Sequence, residues 1–335
     1  MWPLLADYGL FLLKVLTLVF AVLIILMQLM RMKLSKSKDP IVLEKLNDTY
    51  HDIKIDFLEQ FSASGAGFAK SVLQAEKKAR KTALKIDKKN KEPKHKTYIL
   101  NFKGNMTADS VKFLREEITA ILLIAMPGDR VMVKVDSPGG SVIDYGLTAA
   151  QLVRIRDAGL DLVVCVDRIA ASGGYMMACV AHTICAAPFA VIGSIGVVTQ
   201  IPNFNAFLKK HDIDIIELTA GQHKRPLSVL GKATSVGKQH VQLQLQAIHQ
   251  QFKDMVGYYR PNLDVDKVAT GDYWTAEKSL ELGLIDRLMT SDQYIMESIR
   301  SGDVYAVKTV VKPSFKDNLL GTAQVMLDRF VQYYG

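Results

Sequence analysis

From Tyr98 onward, short apolar segments alternate with amphipathic ones, and this alternation constrains the fold more than any other feature of the chain. Three apolar segments have the length of strands, and the two segments between them have the length of helices: 98–102, 131–136 and 162–167, with 108–125 and 141–157. Alternating strands and helices are typical of βαβ units around a parallel sheet. The sequence therefore predicts an α/β domain, and 335 residues with 49% hydrophobic content are enough to form its core.

An apolar segment near the N-terminus predicts a transmembrane anchor over residues 8–30. Residues 10–30 are apolar except for Lys14, Thr17 and Gln28. About 21 residues at about 1.5 Å each span the hydrocarbon core of a bilayer. A cleavable signal peptide is the alternative, but the segment is longer than the usual apolar core of one, and no small-x-small cleavage site follows it.

The positive charge of the chain lies in one segment. The formal net charge is +8, and residues 77–96 contribute all of it with ten basic and two acidic side chains. No aromatic side chains are interleaved there to stack on bases, so nucleic acid is not the predicted partner. Because the segment follows the anchor closely, anionic lipid headgroups are the predicted partner.

The remaining organisation divides the chain into four parts. Residues 31–97, with helical periodicity from Ile41 to Phe57, form a membrane-proximal helical and basic linker region, and residues 98–295 form the α/β domain. Residues 296–335 form a tail whose amphipathic helix carries Leu319, Ala323, Met326 and Phe330 on one face. The uncharged segment 183–198 is too short and too rich in glycine and proline for a second span, and predicts buried strand and loop.

The three cysteines and one further helix complete this outline. Cys165, Cys179 and Cys185 lie among apolar or small residues without the spacing of metal ligands, so we expect buried thiols and no metal. A long helix is predicted from Lys238 to about Tyr259.

Two glycine-rich turns carry the groups best suited to chemistry. The first is Asp-Ser-Pro-Gly-Gly-Ser at 136–141, and the second is Ala-Ala-Ser-Gly-Gly-Tyr at 170–175. Each follows a predicted strand and begins a helix, which is where α/β sheets place reactive groups. Taken alone, Ser172 is as well explained by capping its helix as by acting as a nucleophile. The earlier turn favours the nucleophile, because two separate amide donors form an oxyanion hole.

A nucleophilic serine needs a base, and we tested the histidines first: His51, His95, His182, His211, His223, His240 and His249. The first two lie in the membrane-proximal region, and His182 lies ten residues along the helix predicted to follow Ser172. The surroundings of His211, His240 and His249 predict exposed side chains. No Ser/His/Asp triad can be assembled with these residues.

A lysine is the alternative base. Its ordinary pKa of about 10.4 must fall to near 7, which requires desolvation and positive neighbours. Lys224 lies beside Arg225 in a turn that follows an apolar segment, 213–218, predicted to be a strand. This placement is suggestive, although most lysines in such turns are simply exposed.

Five motifs in order resemble the signal peptide peptidase A (SppA/SohB) family of serine proteases. They are Asp-Ser-Pro-Gly-Gly at 136–140, Ala-Ala-Ser-Gly-Gly-Tyr at 170–175, Gly-Ser-Ile-Gly-Val at 193–197, Thr-Ala-Gly-Gln-His-Lys at 219–224 and Leu-Gly-Leu-Ile-Asp at 282–286. The resemblance covers about residues 98–290. The single N-terminal membrane segment is similar to the SohB-type branch.

The resemblance implies a ClpP/crotonase-like serine protease domain over residues 98–295, with Ser172 as nucleophile and Lys224 as general base. It implies oxyanion donors at Gly173 and at Gly139 or Gly140, a supporting role for Ser194, and no cofactor. It also implies a homo-oligomeric ring in which neighbouring copies complete each site. The implied substrates are signal peptides or unfolded polypeptides.

The side of the membrane is predicted in opposite ways by charge and by resemblance. Basic residues at Arg31, Lys33, Lys36 and Lys38 place the domain in the cytoplasm under the positive-inside rule. The resemblance implies a single-pass protein of the bacterial inner membrane with a periplasmic domain, and our prediction follows it.

Two other classes of protein remain open on the sequence. A crotonase-like acyl-CoA enzyme shares the oxyanion hole of two amides, although no catalytic carboxylate is evident in these turns. A membrane scaffold without turnover keeps the anchor and the assembly. Labelling of Ser172 by a fluorophosphonate probe separates the protease from both.

Overall fold

The computed structural model describes residues 2–34, 39–65, 67–89, 95–221 and 223–310. These residues divide into two units, one that contains the described residues up to Pro40 and another that comprises those from Ile41 to Lys308. The first unit contains helix α1 (Trp2–Leu34), on which the predicted anchor lies. Within it, Gly9–Met27 is long and apolar enough to cross a membrane, and it is the single such helix among the described residues. Length and composition alone do not separate a span from a signal sequence.

The second unit contains the remaining elements in α/β alternation. Its helices are α2 (Leu46–Ala63), α3 (Gly67–Lys89), α4 (Val111–Leu122), α5 (Val142–Asp157), α6 (Gly173–Ala178), α7 (Asn205–Lys210), α8 (Ser235–Tyr259), α9 (Val265–Val268), α10 (Ala276–Glu281) and α11 (Ser291–Ser301). Its strands are β1 (Ile41–Lys45), β2 (Lys96–Lys103), β3 (Arg130–Asp136), β4 (Asp161–Val166), β5 (Ile169–Ala171), β6 (Thr183–Ala186), β7 (Val191–Gly193), β8 (Tyr273–Thr275), β9 (Arg287–Leu288) and β10 (Asp303–Thr309).

The main sheet has seven strands in the order β1-β10-β2-β3-β4-β6-β9. Every pair from β10 to β9 is parallel. Strands β3 and β4 are nearly continuous apolar runs because both faces of a parallel sheet are covered. The predicted α/β fold is therefore confirmed.

Helix α5 connects β3 to β4 and begins at the carboxyl end of β3. The side chain of Ser141 caps it by accepting a hydrogen bond from the Asp144 N–H at 3.4 Å. Tyr145, Ala149 and Leu152 are fully buried on the face that packs against the core. The helix start is thereby fixed beside the first glycine-rich turn.

A second, small sheet delivers the other glycine-rich turn. Its order is β5-β7-β8, with β5 and β7 parallel and β7 and β8 antiparallel. Strand β5 ends one residue before Ser172. The second turn thus follows β5, whereas the sequence predicted it directly after β4.

Two further segments differ from the sequence-based prediction. Residues 41–45 form β1 beside β10, although their periodicity predicted a helix. Residues 213–218 form no regular strand in the described chain, and Ile216 and Leu218 are 85% and 91% exposed. An extended segment needs a hydrogen-bonding neighbour to become a strand, and local periodicity does not reveal whether one is present.

Other predicted features are confirmed. Segment 183–198 contributes β6 and β7, helix α8 ends at Tyr259, and all three cysteines are buried and free. The predicted amphipathic helix of the C-terminal tail, with Leu319 to Phe330 on one face, lies outside the described residues.

Candidate active site

Ser172 occupies a strained turn between strand β5 and helix α6. Its φ is 51° and its ψ is −119°, a conformation that side-chain-bearing residues rarely adopt. Such strain is of the order of 1–3 kcal/mol and persists only where the surrounding structure imposes it. Here the Ser172 N–H donates to the Gly193 carbonyl at 2.8 Å, which fixes the turn from the side of β7.

The side chain of Ser172 makes no capping hydrogen bond to helix α6. Ser172 therefore does not cap helix α6 with its side chain, a role that the sequence had left open. A sharp strand-to-helix turn that presents an uncommitted hydroxyl is the geometry of a nucleophile elbow.

The first glycine-rich turn lies directly against Ser172. The Ser137 N–H donates to the Ile169 carbonyl at 2.8 Å, and the Ala171 N–H donates to the Ser137 carbonyl at 3.1 Å. Gly139 has a φ of 92°, and a Cβ there would lie 2.7 Å from both the Ser172 Cβ and the Gly173 nitrogen. No larger residue fits at Gly139, so glycine is required for this approach.

The amide N–H groups of the two turns differ in whether they have a hydrogen-bond acceptor. The Gly139 N–H donates to the Ser137 Oγ at 3.2 Å. Among the described residues, the N–H groups of Gly140 and Gly173 have no hydrogen-bond acceptor. The two glycine-rich turns thus each carry one amide donor without an acceptor among the described residues, the kind of group that an oxyanion hole uses.

Ser194 lies one residue beyond the carbonyl that holds Ser172. Its own φ is 54°, and its N–H donates to the Asp272 carbonyl at 2.6 Å. The structure thus places Gly139 in contact with Ser172 and Gly173, with Gly140 next in the same turn, and Ser194 follows the residue whose carbonyl holds Ser172.

Lys224 is placed differently. Its side chain is exposed, and no hydrogen bond or ion pair joins it to Ser172 in the described part of the chain. It lies in the segment 219–226, which we call the lysine turn and of which Gln222 is not described. One chain therefore does not bring the two members of the predicted dyad into contact.

The lysine turn rests on the N-terminal part of helix α8. A Cβ on Gly237 would lie 2.0 Å from the Pro226 carbonyl oxygen, so helix and turn are in close backbone contact. The rings of His223 and His240 stack with centroids 4.1 Å apart and an interplanar angle of 13°. These contacts, which sequence patterns do not reveal, set the position of Lys224.

His211 is exposed as the sequence predicted, but three other histidines are placed differently. Helix α6 ends at Ala178, so His182 is not on the same helix as Ser172. Its Nδ1 accepts a hydrogen bond from the Leu162 N–H at 2.9 Å, and burial lowers its pKa. His240 and His249 are half-buried, whereas exposed side chains were predicted. No histidine in the described ranges hydrogen-bonds Ser172, and these ranges hold no group of three or more potential metal ligands.

Comparison with protein-family models gives two matches that together cover most of the chain. Residues 3–152 match the N-terminal domain of peptidase family S49, and residues 154–303 match peptidase family S49 itself.

Two curated relatives agree with these matches, and the chain also has a weak similarity to one solved structure. A probable protease SohB of Haemophilus influenzae is 42% identical over 320 residues, which are 92% of this chain and 90% of that protein. A probable protease SohB of Buchnera aphidicola is 42% identical over 300 residues, which are 87% and 98% of the two chains. A solved structure of a membrane-bound stomatin-specific protease is 18% identical, covers 69% of this chain and 99% of that one, and has a TM-score of 0.43.

Proposed function

The chain belongs to peptidase family S49 and is a serine-type peptidase, and from that premise we propose that it cleaves peptide bonds with Ser172 as nucleophile and Lys224 as general base. The observation that carries the proposal is the strained turn of Ser172, whose hydroxyl has no hydrogen-bond partner among the described residues, with the acceptor-free N–H groups of Gly173 and Gly140 in the two adjoining turns. Such an arrangement is suited to acyl transfer.

The proposed reaction has two halves. Lys224 takes the hydroxyl proton as the Ser172 oxygen attacks the peptide carbonyl, and the Gly140 and Gly173 N–H groups stabilise the oxyanion. The tetrahedral intermediate collapses, the C–N bond breaks, and Lys224 gives its proton to the leaving amine. Water, deprotonated by Lys224, then attacks the acyl-enzyme carbonyl. The second tetrahedral intermediate collapses, the bond between the acyl carbon and the Ser172 oxygen breaks, and Lys224 returns its proton to Ser172 as the carboxyl product leaves. We assign the donor role to Gly140 because the Gly139 N–H already donates to Ser137.

A second copy of the chain brings the lysine to the serine in this proposal. A lysine acts as a base only when it is neutral, which requires a desolvated site, and Lys224 is exposed in one chain. Large apolar side chains just before the lysine turn are exposed as well: Ile216 at 85% and Leu218 at 91%. Exposed apolar side chains beside a functional segment favour a protein interface there.

A cavity beside the lysine turn supports the same interface. It has a volume of about 520 Å³ and is lined largely by apolar side chains: Ile201, Ile215, Ile216, Leu227, Val229 and Leu230. A homo-oligomeric ring, with Ser194 helping to hold the incoming lysine, completes the proposed site.

The proposed substrates are signal peptides and unfolded or misfolded envelope polypeptides. An N-terminal helix able to span a bilayer and SohB relatives are compatible with an inner-membrane protein. We propose a single-pass topology with a periplasmic domain over residues 98–295. Protease accessibility of the C-terminus in spheroplasts tests this side, since a cytoplasmic domain is protected there.

Substitution of the two proposed catalytic residues tests the reaction. Ser172→Ala and Lys224→Ala should each reduce cleavage of fluorescein-labelled casein by at least about a thousandfold, and Ser172→Ala should abolish fluorophosphonate labelling. Lys232→Ala is the matched control, because Lys232 is an exposed lysine just beyond the turn and should leave the rate unchanged. Full cleavage by either dyad variant would refute the assignment.

A further inference from the structure

Tyr145 lies beneath the proposed oxyanion hole and contacts both glycine-rich turns. It is fully buried in the first turn of helix α5. Its phenolic oxygen is 2.5 Å from the Ser137 Oγ and 2.8 Å from the Asn105 carbonyl oxygen.

Counting protons fixes the direction of this chain of hydrogen bonds. A carbonyl oxygen only accepts, so the single Tyr145 hydroxyl proton is donated to Asn105. The Ser137 hydroxyl must then donate to the phenolic oxygen of Tyr145. The Ser137 Oγ in turn accepts the Gly139 N–H. The Gly139 amide is thereby turned toward Ser137, which leaves the next amide, that of Gly140, free for a ligand.

The ring of Tyr145 determines the position of the second donor. A Cβ on Gly173 would lie 2.3 Å from the Tyr145 Cγ and 2.7 Å from its Cδ2. The Gly173 backbone therefore rests directly on the aromatic ring, and a shift of the ring must move the Gly173 N–H.

The hydroxyl of Tyr145 also holds the segment against which Gly140 packs. A Cβ on Gly140 would lie 2.3 Å from the Met106 carbonyl oxygen, and the Ser141 N–H donates to that same oxygen at 2.8 Å. Met106 follows Asn105, whose carbonyl the Tyr145 hydroxyl holds. One side chain is thus linked to both proposed amide donors.

We propose that Tyr145 is a positioning residue that sets the geometry of the oxyanion hole, an inference that rests on the proposed function of Ser172. Burial raises the pKa of the Tyr145 phenol above its ordinary value, so the hydroxyl stays protonated and the direction of the hydrogen bonds is constant. Because these amides act most strongly on the transition state, disturbing them should lower kcat and leave KM nearly unchanged.

Tyr145→Phe tests the proposal, since it keeps the ring and removes only the hydroxyl. With fluorescein-labelled casein as substrate, we expect kcat per fluorophosphonate-titrated site to fall by about 10- to 100-fold, with KM within twofold. Affinity for a tripeptide aldehyde, whose hemiacetal oxygen occupies the same hole, should fall by a similar factor. Tyr98→Phe is the matched control, because Tyr98 is an equally buried tyrosine in β2 outside both turns and should behave as wild type.

Either of two results with Tyr145→Phe overturns the proposal. Unchanged kcat and aldehyde affinity in Tyr145→Phe would do so, as would a loss confined to the number of titrated sites, which indicates a purely structural role. If Tyr145→Phe does not fold, Ser137→Ala interrupts the same chain of hydrogen bonds and must give the same pattern. Casein cleavage by Ser172→Ala would refute the proposed function itself, whereas an inactive Ser172→Ala with a fully active Tyr145→Phe refutes only the positioning role.

Discussion

The approach of Gly139 to the catalytic turn gives the most demanding test of the site geometry. Gly139→Ala places a Cβ 2.7 Å from the Ser172 Cβ and from the Gly173 nitrogen. An unstrained contact is roughly 3.5 Å, so the two turns must separate by roughly 0.8 Å. The atoms that must move are the backbone of Ser172, the proposed nucleophile, and the Gly173 N–H, one of the two proposed amide donors.

The expected cost of this separation can be stated for activity and for stability. A misplacement of about 1 Å costs on the order of 10²-fold in rate, so kcat/KM for casein should fall at least about 100-fold. The positive φ of 92° adds about 1–2 kcal/mol for an alanine, and overpacking adds about 1–3 kcal/mol. The free energy of unfolding should therefore fall by about 2–5 kcal/mol, measured by urea titration of the detergent-solubilised chain.

Gly146→Ala is the matched control for this prediction. Gly146 lies in helix α5, seven residues beyond Gly139, and a Cβ there meets nothing within 4 Å. Replacing a helical glycine by alanine in open space should stabilise the chain by about 0.5–1 kcal/mol without changing kcat/KM. If Gly139→Ala retained kcat/KM within threefold of wild type, the close approach of the turns would not matter for the reaction.

Two further predictions concern the lysine turn and the response to acid. Gly237→Ala places a Cβ 2.0 Å from the Pro226 carbonyl oxygen and should lower the rate of casein cleavage at least tenfold. Gly257→Ala, on the same helix, makes only an ordinary contact and should leave the rate unchanged. Equal rates for the two variants would refute the docking of the lysine turn on helix α8. Burial, and then Arg156, lower the pKa of His182 in the folded chain. The neutral imidazole therefore contributes its full stabilisation above the pKa of the unfolded chain, about 6.5, and this contribution is lost as the pH falls through the lower pKa of the folded chain. His182→Asn keeps an acceptor but does not titrate, so the urea midpoint should fall less between pH 7.5 and pH 5.5 than in wild type, and an equal fall would contradict this.

The parts of the fold that the sequence predicted are those whose partners are close along the chain. Strands β2, β3 and β4 with helix α5 were predicted within a residue or two, because each apolar run packs against its immediate neighbours. Strand β1 was missed because its partner, β10, lies about 260 residues away. Residues 213–218 were predicted as a strand from their apolar side chains alone. Apolar side chains indicate that a segment packs against something, but not whether the partner is a neighbouring strand or another protein surface.

In the candidate site, too, local features could be predicted from the sequence and long-range contacts could not. The two turns around Ser172 were predictable because glycine at 139, 140 and 173 reflects close backbone approach, which the contacts of Gly139 and Gly173 with their neighbours show directly. Tyr145 was not predicted, since a tyrosine on the buried face of an amphipathic helix has the pattern of an ordinary core residue. Its hydrogen bond to Asn105 spans 40 positions and has no signature in local sequence.

The two halves of the proposed machinery differ in what holds them in place. Ser172 and its amide donors are fixed by buried groups of one chain: the β5 to β7 pairing, the Ser137 bridge and the Tyr145 ring. Lys224 lies in an exposed turn that contacts the rest of its chain chiefly through helix α8. The strained turn is therefore complete within one chain, while the proposed base depends on its surroundings for desolvation. This asymmetry fits the proposed assembly, in which a single copy is inactive and each site is completed where copies meet.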